Sequence, residues 1–234
     1  MSNVRRPFYP DAVAETLKRR GAARVLVVGS GGRSYSHSQA KVICTDVGFG
    51  PHVQAIADAH DLPFPDGSFD LAVAVAVLEH VADPQRCVAE IWRVLGSGGL
   101  VYAVTPFLEP VHMGAYDFTR FTPLGHRRLF RWFETIDEGV VMGAGSMFGF
   151  ALSGFLVSLW GNRWWRNVAG LAGLFLMAPL RKLDKWMAPL PSRDNAAGCY
   201  FVGARRETPI SDRELISMYK GGFAKTSGTG VAAD

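Results

Sequence analysis

The stretch from Asp58 to Val81, DAHDLPFPDGSFDLAVAVAVLEHV, limits what this chain can fold into more than any other. Pro65-Asp66-Gly67-Ser68 reads as a turn, since proline presets φ and glycine accepts φ > 0. After it, Leu71 to Val77 is an unbroken Ala/Val/Leu run. Such a run, short and rich in β-branched residues, suits a parallel strand covered on both faces. Open parallel sheets place ligands at the carboxyl ends of their strands, and that end here carries Leu78, Glu79 and His80. Asp83-Pro84 then opens a helix, with Asp83 as cap and the proline at the first helical position.

The same alternation runs along much of the chain. Strands are expected at 24–28, 42–45, 53–57, 71–77 and 100–104, with helices at 11–20, 84–95 and 123–132. Strands separated by crossovers imply an α/β fold built on a doubly wound, mostly parallel sheet. Two crossovers are short. Gly29 to Lys41 has little room beyond glycines and serines, and Asp46 to Val53 has no room for a helix, so pruned connections are expected. Strand signals return at Thr135–Met142 and Gly198–Ala204. With 234 residues and 48% hydrophobic content, the chain can bury one full core and reads as a single domain over 1–234. Residues 143–197 form an apolar helical insert. Ser211 to Gly221 reads as a short helix opened by a Ser211/Glu214 capping box, and 222–234 as a flexible tail.

Twenty-five Lys and Arg against 21 Asp and Glu leave a formal charge of +4. That balance permits contact with anionic lipids or substrates without demanding nucleic acid, and no basic stripe interleaved with aromatics marks a nucleic-acid surface. Met1 to Arg20 lacks an apolar core segment, so no signal peptide is read and a cytoplasmic protein is expected. Cys44, Cys87 and Cys199 show no Cys-x-x-Cys spacing; they are expected as buried thiols that imply no metal site.

Four pieces in order carry a family resemblance: Val25-Leu26-Val27-Val28-Gly29-Ser30-Gly31-Gly32, Asp46, the stretch from Asp58 to Val81, and Val94-Leu95-Gly96-Ser97-Gly98-Gly99-Leu100. A glycine-rich strand-to-helix turn alone is weak, because dinucleotide oxidoreductases use one too. The ordered set resembles a class I S-adenosylmethionine-dependent methyltransferase, of the bacterial small-molecule branch and similar to type 11. The resemblance is strong over residues 20–125. It implies a Rossmann-like seven-stranded sheet whose last strand runs antiparallel, S-adenosylmethionine as cofactor, and methyl transfer as the activity.

Cofactor residues follow from that resemblance. Gly29, Ser30 and Gly31 form the turn after the first strand, where glycine lets backbone approach a ligand. Asp46 closes the second strand and would accept hydrogen bonds from both ribose hydroxyls. Asp58, with the backbone of Ala59, matches the family's adenine contact. Glu79 and His80 line the same mouth, although His80 alone also suits a loop cap that packs. The family commonly has an acidic residue where Val27 stands; here the cofactor's ammonium would need carbonyls of the glycine loop or water. Arg33 replaces a glycine usual later in that loop.

Methyl transfer from a sulfonium needs alignment above all, with a base only for a weakly acidic nucleophile such as a sugar hydroxyl. Candidates follow the fifth strand, in Pro106 to His112 and Tyr116 to Thr122. His112 is the first choice for base, since histidine ordinarily titrates near neutrality. Asp117 would orient it, and Arg120 would hold an anionic substrate group; equally, Asp117 and Arg120 form a structural ion pair closing a lid. This set, the apolar insert and the closing Gly198-Cys199-Tyr200-Phe201-Val202-Gly203 resemble enzymes of glycan and lipid-linked sugar assembly, which suggests a hydroxyl on a saccharide or lipid-like acceptor.

Gly139 to Asn162 and Asn167 to Leu180 contain no charged residue. A spanning helix needs ~20 apolar residues; the first run reaches that only by absorbing a Gly-rich strand, and the second falls short. A single span is excluded if both flanking strands share one sheet. Arg163, Arg166, Arg181, Lys182 and Lys185, with Trp160, Trp164, Trp165 and Trp186, bracket the runs as interfacial anchors do. The insert therefore meets a membrane surface, at the inner face of the membrane, or a homodimer partner, or it closes the substrate pocket. Two other classes stay open: a nicotinamide-dependent oxidoreductase, and a non-catalytic, membrane-associated S-adenosylmethionine-binding protein.

Overall fold

The Ala/Val/Leu run forms a strand at the centre of a sheet. In a computed structural model of the chain, which describes residues 23–35, 40–159, 162–184, 186 and 193–219, β4 (Phe69–Val75) lies between β1 (Ala23–Val28) and β5 (Leu95–Pro106). The helix expected at 11–20 and the tail at 222–234 fall outside the described residues. Leu71, Ala72, Val73 and Ala74 are fully buried. Ala72 and Ala74 pack into one hydrophobic cluster and Leu71 and Val73 into another, as the period of two in a strand requires.

Seven strands run in the order β3-β2-β1-β4-β5-β7-β6, with β2 at Ala40–Asp46, β3 at Ala55–Ile56, β6 at Phe133–Met142 and β7 at Gly198–Arg205. Only β7 runs antiparallel to its neighbours. This is the α/β Rossmann-like architecture, with the last strand reversed. Helix α1 (Pro84–Val94) crosses from β4 to β5 and buries Cys87, Val88, Ile91 and Val94. That spacing forms one helical stripe, and Asp83 caps the helix by accepting from the Arg86 N–H at 3.0 Å. Helices α2 (Pro123–Leu129), α3 (Ala144–Ser158), α4 (Arg163–Leu183) and α5 (Asp212–Ser217) follow, with Ser211 capping α5. All three cysteines are buried free thiols.

Several boundaries depart from expectation for local reasons. β3 shrinks to two residues because Gln54 clamps Cys44: its N–H donates to the Cys44 carbonyl, and its side chain accepts from the Cys44 N–H in place of a further ladder bond. α1 stops at Val94, and β5 begins at Leu95, five residues early, because Leu95 is already extended. α2 ends at Leu129 and not at 132. The buried Arg127 guanidinium donates to the carbonyls of Phe130 and Phe133, which bends the chain into β6. β4 ends at Val75, because Ala76 takes φ +55°.

That last turn meets another. Gly29, just after β1, has φ +62°, and a Cβ there would lie 2.5 and 2.8 Å from the two Val77 methyls. Gly31 also has positive φ, but a Cβ there would meet nothing within 4 Å. The chain leaving β4 is thus wedged under the chain leaving β1.

Between β6 and β7, α3 and α4 pack on each other as a hairpin. Close approach depends on small residues: a Cβ on Gly145 would lie 2.3 Å from the Leu180 carbonyl oxygen, and one on Gly173 would lie 2.3 Å from the Ser153 hydroxyl. Asp184, at the end of α4, closes the pair. Its carboxylate accepts from the backbone N–H groups of Gly143, Gly145 and Ser146 and from the Ser146 hydroxyl, at 2.6–3.3 Å. A carboxylate at a helix N-terminus satisfies orphan donors and complements the helix dipole. Met142 and Pro106 both pair with Gly198, so the hairpin leaves from the carboxyl edge of the parallel strands.

His126 sits among the rings of Phe121, Phe130 and Phe201. Burial, helped by Arg193 and Arg127, pushes its pKa down to about 3. The unfolded chain takes this proton near pH 6.5 and the folded chain does not, so stability is lost as pH falls below that value. We expect roughly 3 kcal/mol to go between about pH 6.5 and pH 4. In thermal unfolding against pH, His126→Leu should flatten this acid limb; an unchanged limb would exclude His126 as its source. Gly29→Ala should cost ~2–4 kcal/mol, combining left-handed strain with overpacking, whereas Gly31→Ala should cost only the strain. Equal losses in denaturant unfolding would count against the Val77 wedge.

Candidate cofactor site

The strand order places a crevice. From β1 the chain moves outward to β2 and β3, then returns to β4 on the other side of β1. Connections therefore diverge above the carboxyl ends of β1 and β4, the topological switch point where open sheets bind ligands. A cavity of about 530 Å³ lies there. Its wall takes Gly29 and Gly31 from the loop after β1, Asp46 from β2, Asp58, Ala59 and His60 from the segment after β3, Val77 and His80 from β4's exit, and Met113 and Tyr116 from the loop after β5.

Each carboxylate in this wall is held by backbone. Asp46 accepts from the Gly31 N–H at 2.7 Å and from the Gly48 N–H at 3.3 Å, which ties the glycine turn to the end of β2. Asp58 accepts from the His60 N–H at 2.9 Å and from His60 Nδ1 at 2.6 Å, both on Oδ1. These bonds hold the Asp58 carboxyl below its usual pKa. The Asp83 N–H donates to His60 Nε2 at 3.1 Å, so Nδ1 carries the ring proton that Asp58 accepts. His60 was missed by the sequence reading; the Asp-x-His spacing was its one signal.

Two expected cofactor residues do not line the cavity. The Ser30 side chain is buried, and its backbone N–H donates to the Thr45 carbonyl at 2.9 Å. Glu79 is fully buried, because the turn at Ala76 swings the chain inward and puts the side chain beneath the loop after β5. Its carbonyl accepts from the N–H groups of Phe118 and Thr119 at 2.8 and 3.2 Å. Burial raises the pKa of its carboxyl. Val27 is buried in the core.

The loop after β5 is pinned at its centre. Arg120 and Asp117 form a close bidentate ion pair that holds the Asp117 carboxyl well below the usual carboxylate range. Arg120 also donates to the carbonyls of Glu109, Pro110 and Thr119. Asp117 accepts from the backbone N–H of His112 at 2.7 Å, while its oxygen stays 3.7 Å from His112 Nδ1. The His112 ring meets the His80 ring edge-on, Nε2 to Nε2 at 3.1 Å. His80 Nδ1 donates to the Tyr116 carbonyl at 2.8 Å.

The cavity fits S-adenosylmethionine in its chemistry. Gly31 leaves open space where any side chain would stand, and two carboxylates from successive loops face one void, as a ribose and an exocyclic amine require. A methyltransferase domain model matches residues 12–103. The ubiquinone/menaquinone biosynthesis C-methyltransferase of Psychromonas ingrahamii is 39% identical over 71 residues, 29% of this chain and 28% of that protein. A phosphatidylethanolamine N-methyltransferase of Cereibacter sphaeroides is 36% identical over 129 residues, 43% of this chain and 62% of that protein. The chain thus spans less than two thirds of either relative. A methyltransferase structure from Methanosarcina mazei shares the fold at 16% identity and TM-score 0.51, covering 86% of this chain and 100% of that one. With the domain match over residues 12–103, the reversed last strand and the cavity at the switch point, the chain carries a domain of the class I S-adenosylmethionine-dependent methyltransferase type, and S-adenosylmethionine is the cofactor that such a domain implies.

Proposed function

We propose that this protein transfers a methyl group from S-adenosylmethionine to a small, partly apolar acceptor, with a hydroxyl on a saccharide or lipid-linked molecule as the group methylated. One observation carries the reading: the cavity and the apolar hairpin share the carboxyl edge of the sheet. Bound in the cavity, the cofactor would supply an electrophilic methyl on a sulfonium. The chain's own part is to align and to accept a proton. Asp46, Asp58 and the backbone of Gly29, Gly31 and Ala59 hold the nucleoside end, and His80 borders the reacting end. His112 is the base, and His80 Nε2, 3.1 Å from its Nε2, is close enough to share the proton it takes. Arg120, its donors engaged by Asp117 and three carbonyls, fixes the loop that carries His112.

A non-catalytic cofactor-binding protein is the second reading. Val27 favours it, since no carboxylate from β1 reaches the cavity. Calorimetry with S-adenosylhomocysteine and with NAD, followed by turnover on candidate acceptors, separates these readings. Tight binding of the first ligand alone is expected. Asp46→Ala and Asp58→Ala should each weaken it by ~10–100-fold, the worth of one or two charge-assisted hydrogen bonds. Unchanged affinity in both would remove the assigned site.

The hairpin directs the acceptor reading toward lipid. Phe148, Phe155, Leu159, Trp164, Trp165 and Leu171 are exposed on α3, α4 and their ends, and Arg181 and Lys182 stand exposed in the last turn of α4. Among the described residues no helix is long and apolar enough to cross a membrane. An interfacial position, with apolar side chains in the headgroup boundary, suits such a pair. The native chain should cosediment with anionic liposomes at low salt. Release should follow as salt rises, and Arg181→Glu with Lys182→Glu should weaken attachment by ~1 kcal/mol or more per charge. Failure to cosediment with any liposome would make the hairpin a pocket lid or a subunit interface.

A further inference from the structure

We propose that Glu79, His80 and His112 form a site for one divalent first-row transition-metal ion at the mouth of the cavity. Three electron-pair donors converge there: His80 Nε2 lies 3.1 Å from His112 Nε2, and a Glu79 carboxylate oxygen lies 3.7 and 3.8 Å from the two nitrogens. All three ligand atoms fall within 4.8 Å of one another. The ring protons are already placed elsewhere. His80 Nδ1 faces the Tyr116 carbonyl at 2.8 Å, and a carbonyl can only accept, so Nδ1 carries the proton. His112 Nδ1 faces only acceptors, the Pro110 carbonyl at 3.4 Å and the Asp117 and Glu109 carboxylates at 3.7 and 4.0 Å. With the ring protons on Nδ1, the two Nε2 lone pairs face each other, and a cation between them relieves the contact.

A proton shared by the two rings would answer that contact alone. It would leave Glu79, whose side chain has no solvent exposure, with a charge 3.7–3.8 Å away but with no hydrogen bond to either buried oxygen, an arrangement that costs free energy in the interior. A cation touching all three groups satisfies each of them. Two imidazoles and one carboxylate suit zinc, iron, cobalt or manganese, whereas magnesium and calcium prefer oxygen ligands. Bonds of ~2.1 Å put ligand atoms of a shared shell about 3.0–3.4 Å apart. The nitrogens already stand at that spacing, and Glu79 needs to close by only a few tenths of an ångström. The outer bond from His80 to the Tyr116 carbonyl is of the kind that orients metal-binding histidines. Cysteine spacing could not reveal this site, because its donors come from two loops and include no thiol.

Three protein ligands leave a position open beside half-buried His112, available to water or to an oxygen of the acceptor. With the ion bound, His112 is a ligand, and the base role given to it above belongs to the metal-free chain. In this link to the acceptor the inference rests on the methyl-transfer reading, but metal binding itself does not.

The test uses the full chain, stripped with a chelator and free of cofactor, titrated with Co²⁺ and followed by its visible absorption. Saturation at one ion per chain is expected, with displacement by Zn²⁺ and indifference to excess Mg²⁺. His112→Ala and Glu79→Gln should each weaken binding by ~100-fold or more, with unfolding curves checking that the variants fold. Absence of a saturable Co²⁺ signal in the native chain overturns the site, as does an unchanged signal in folded His112→Ala. Because neither cofactor nor acceptor is present, this result and the S-adenosylhomocysteine calorimetry stand or fall separately.

Discussion

The contact between Gly29 and Val77 is the constraint on which the functional edge depends. β1 and β4 are adjacent parallel strands, so their exits must part within a residue or two to leave space for a ligand. Gly29 does this at φ +62° and Ala76 at φ +55°. For alanine that conformation costs ~1–2 kcal/mol, and it persists because the surroundings over-determine it. The Ala76 N–H donates to the Val104 carbonyl at 3.0 Å, and Val77 is pressed against a position that tolerates no side chain. The wedge sends Leu78 and Glu79 into the interior and brings His80 to the rim.

From that turn the second loop is built. The Glu79 carbonyl holds Phe118 and Thr119, His80 holds Tyr116, and the Asp117–Arg120 pair fixes the intervening turn. Met113 at φ +61° and Gly114 at φ +59° reverse the chain between these anchors. Each bond is to backbone or to a charged partner, so the loop needs little reordering when a ligand arrives. Pre-organisation of this kind lets alignment supply most of a reaction's rate. The ion pair that secures the loop also occupies Arg120, which explains how an arginine beside a site can serve geometry and leave recognition to other groups.

The sheet was legible because its strands are short apolar runs between turn residues, and the helical insert because long uncharged stretches have few other uses. Strand ends were less legible. An Ala/Val/Leu run has no mark at Ala76, where the backbone changes sign, so Val77 read as strand and Glu79 as a pocket residue. Gln54 looked like part of β3 because side-chain mimicry of a ladder bond leaves no period in the sequence. At the site, Asp46 could be found from its place at a strand end and Asp58 from the family resemblance, whereas His60 and Met113 could not: they reach the cavity through turns whose direction depends on long-range contacts. The Glu79–His80–His112 cluster joins two loops 32 residues apart, a closeness that only the paired exits of β4 and β5 create.

The hairpin poses the opposite problem, a local structure with few ties to the rest. Its helices meet closely at Gly145 and Gly173, and among the described residues Phe148, Phe155, Leu159, Trp164, Trp165 and Leu171 face outward. Exposing apolar area costs about 25 cal/mol per Å², and Phe155, Trp164 and Leu171, each more than half exposed, would be costly to keep in water without use. Asp184 makes the arrangement tolerable. By gathering three backbone N–H groups and the Ser146 hydroxyl at the base, it locks the two helices where they join the sheet, leaving their far end free of that duty. Asp184 thereby fixes the base of the hairpin on the same edge of the sheet as the cofactor cavity.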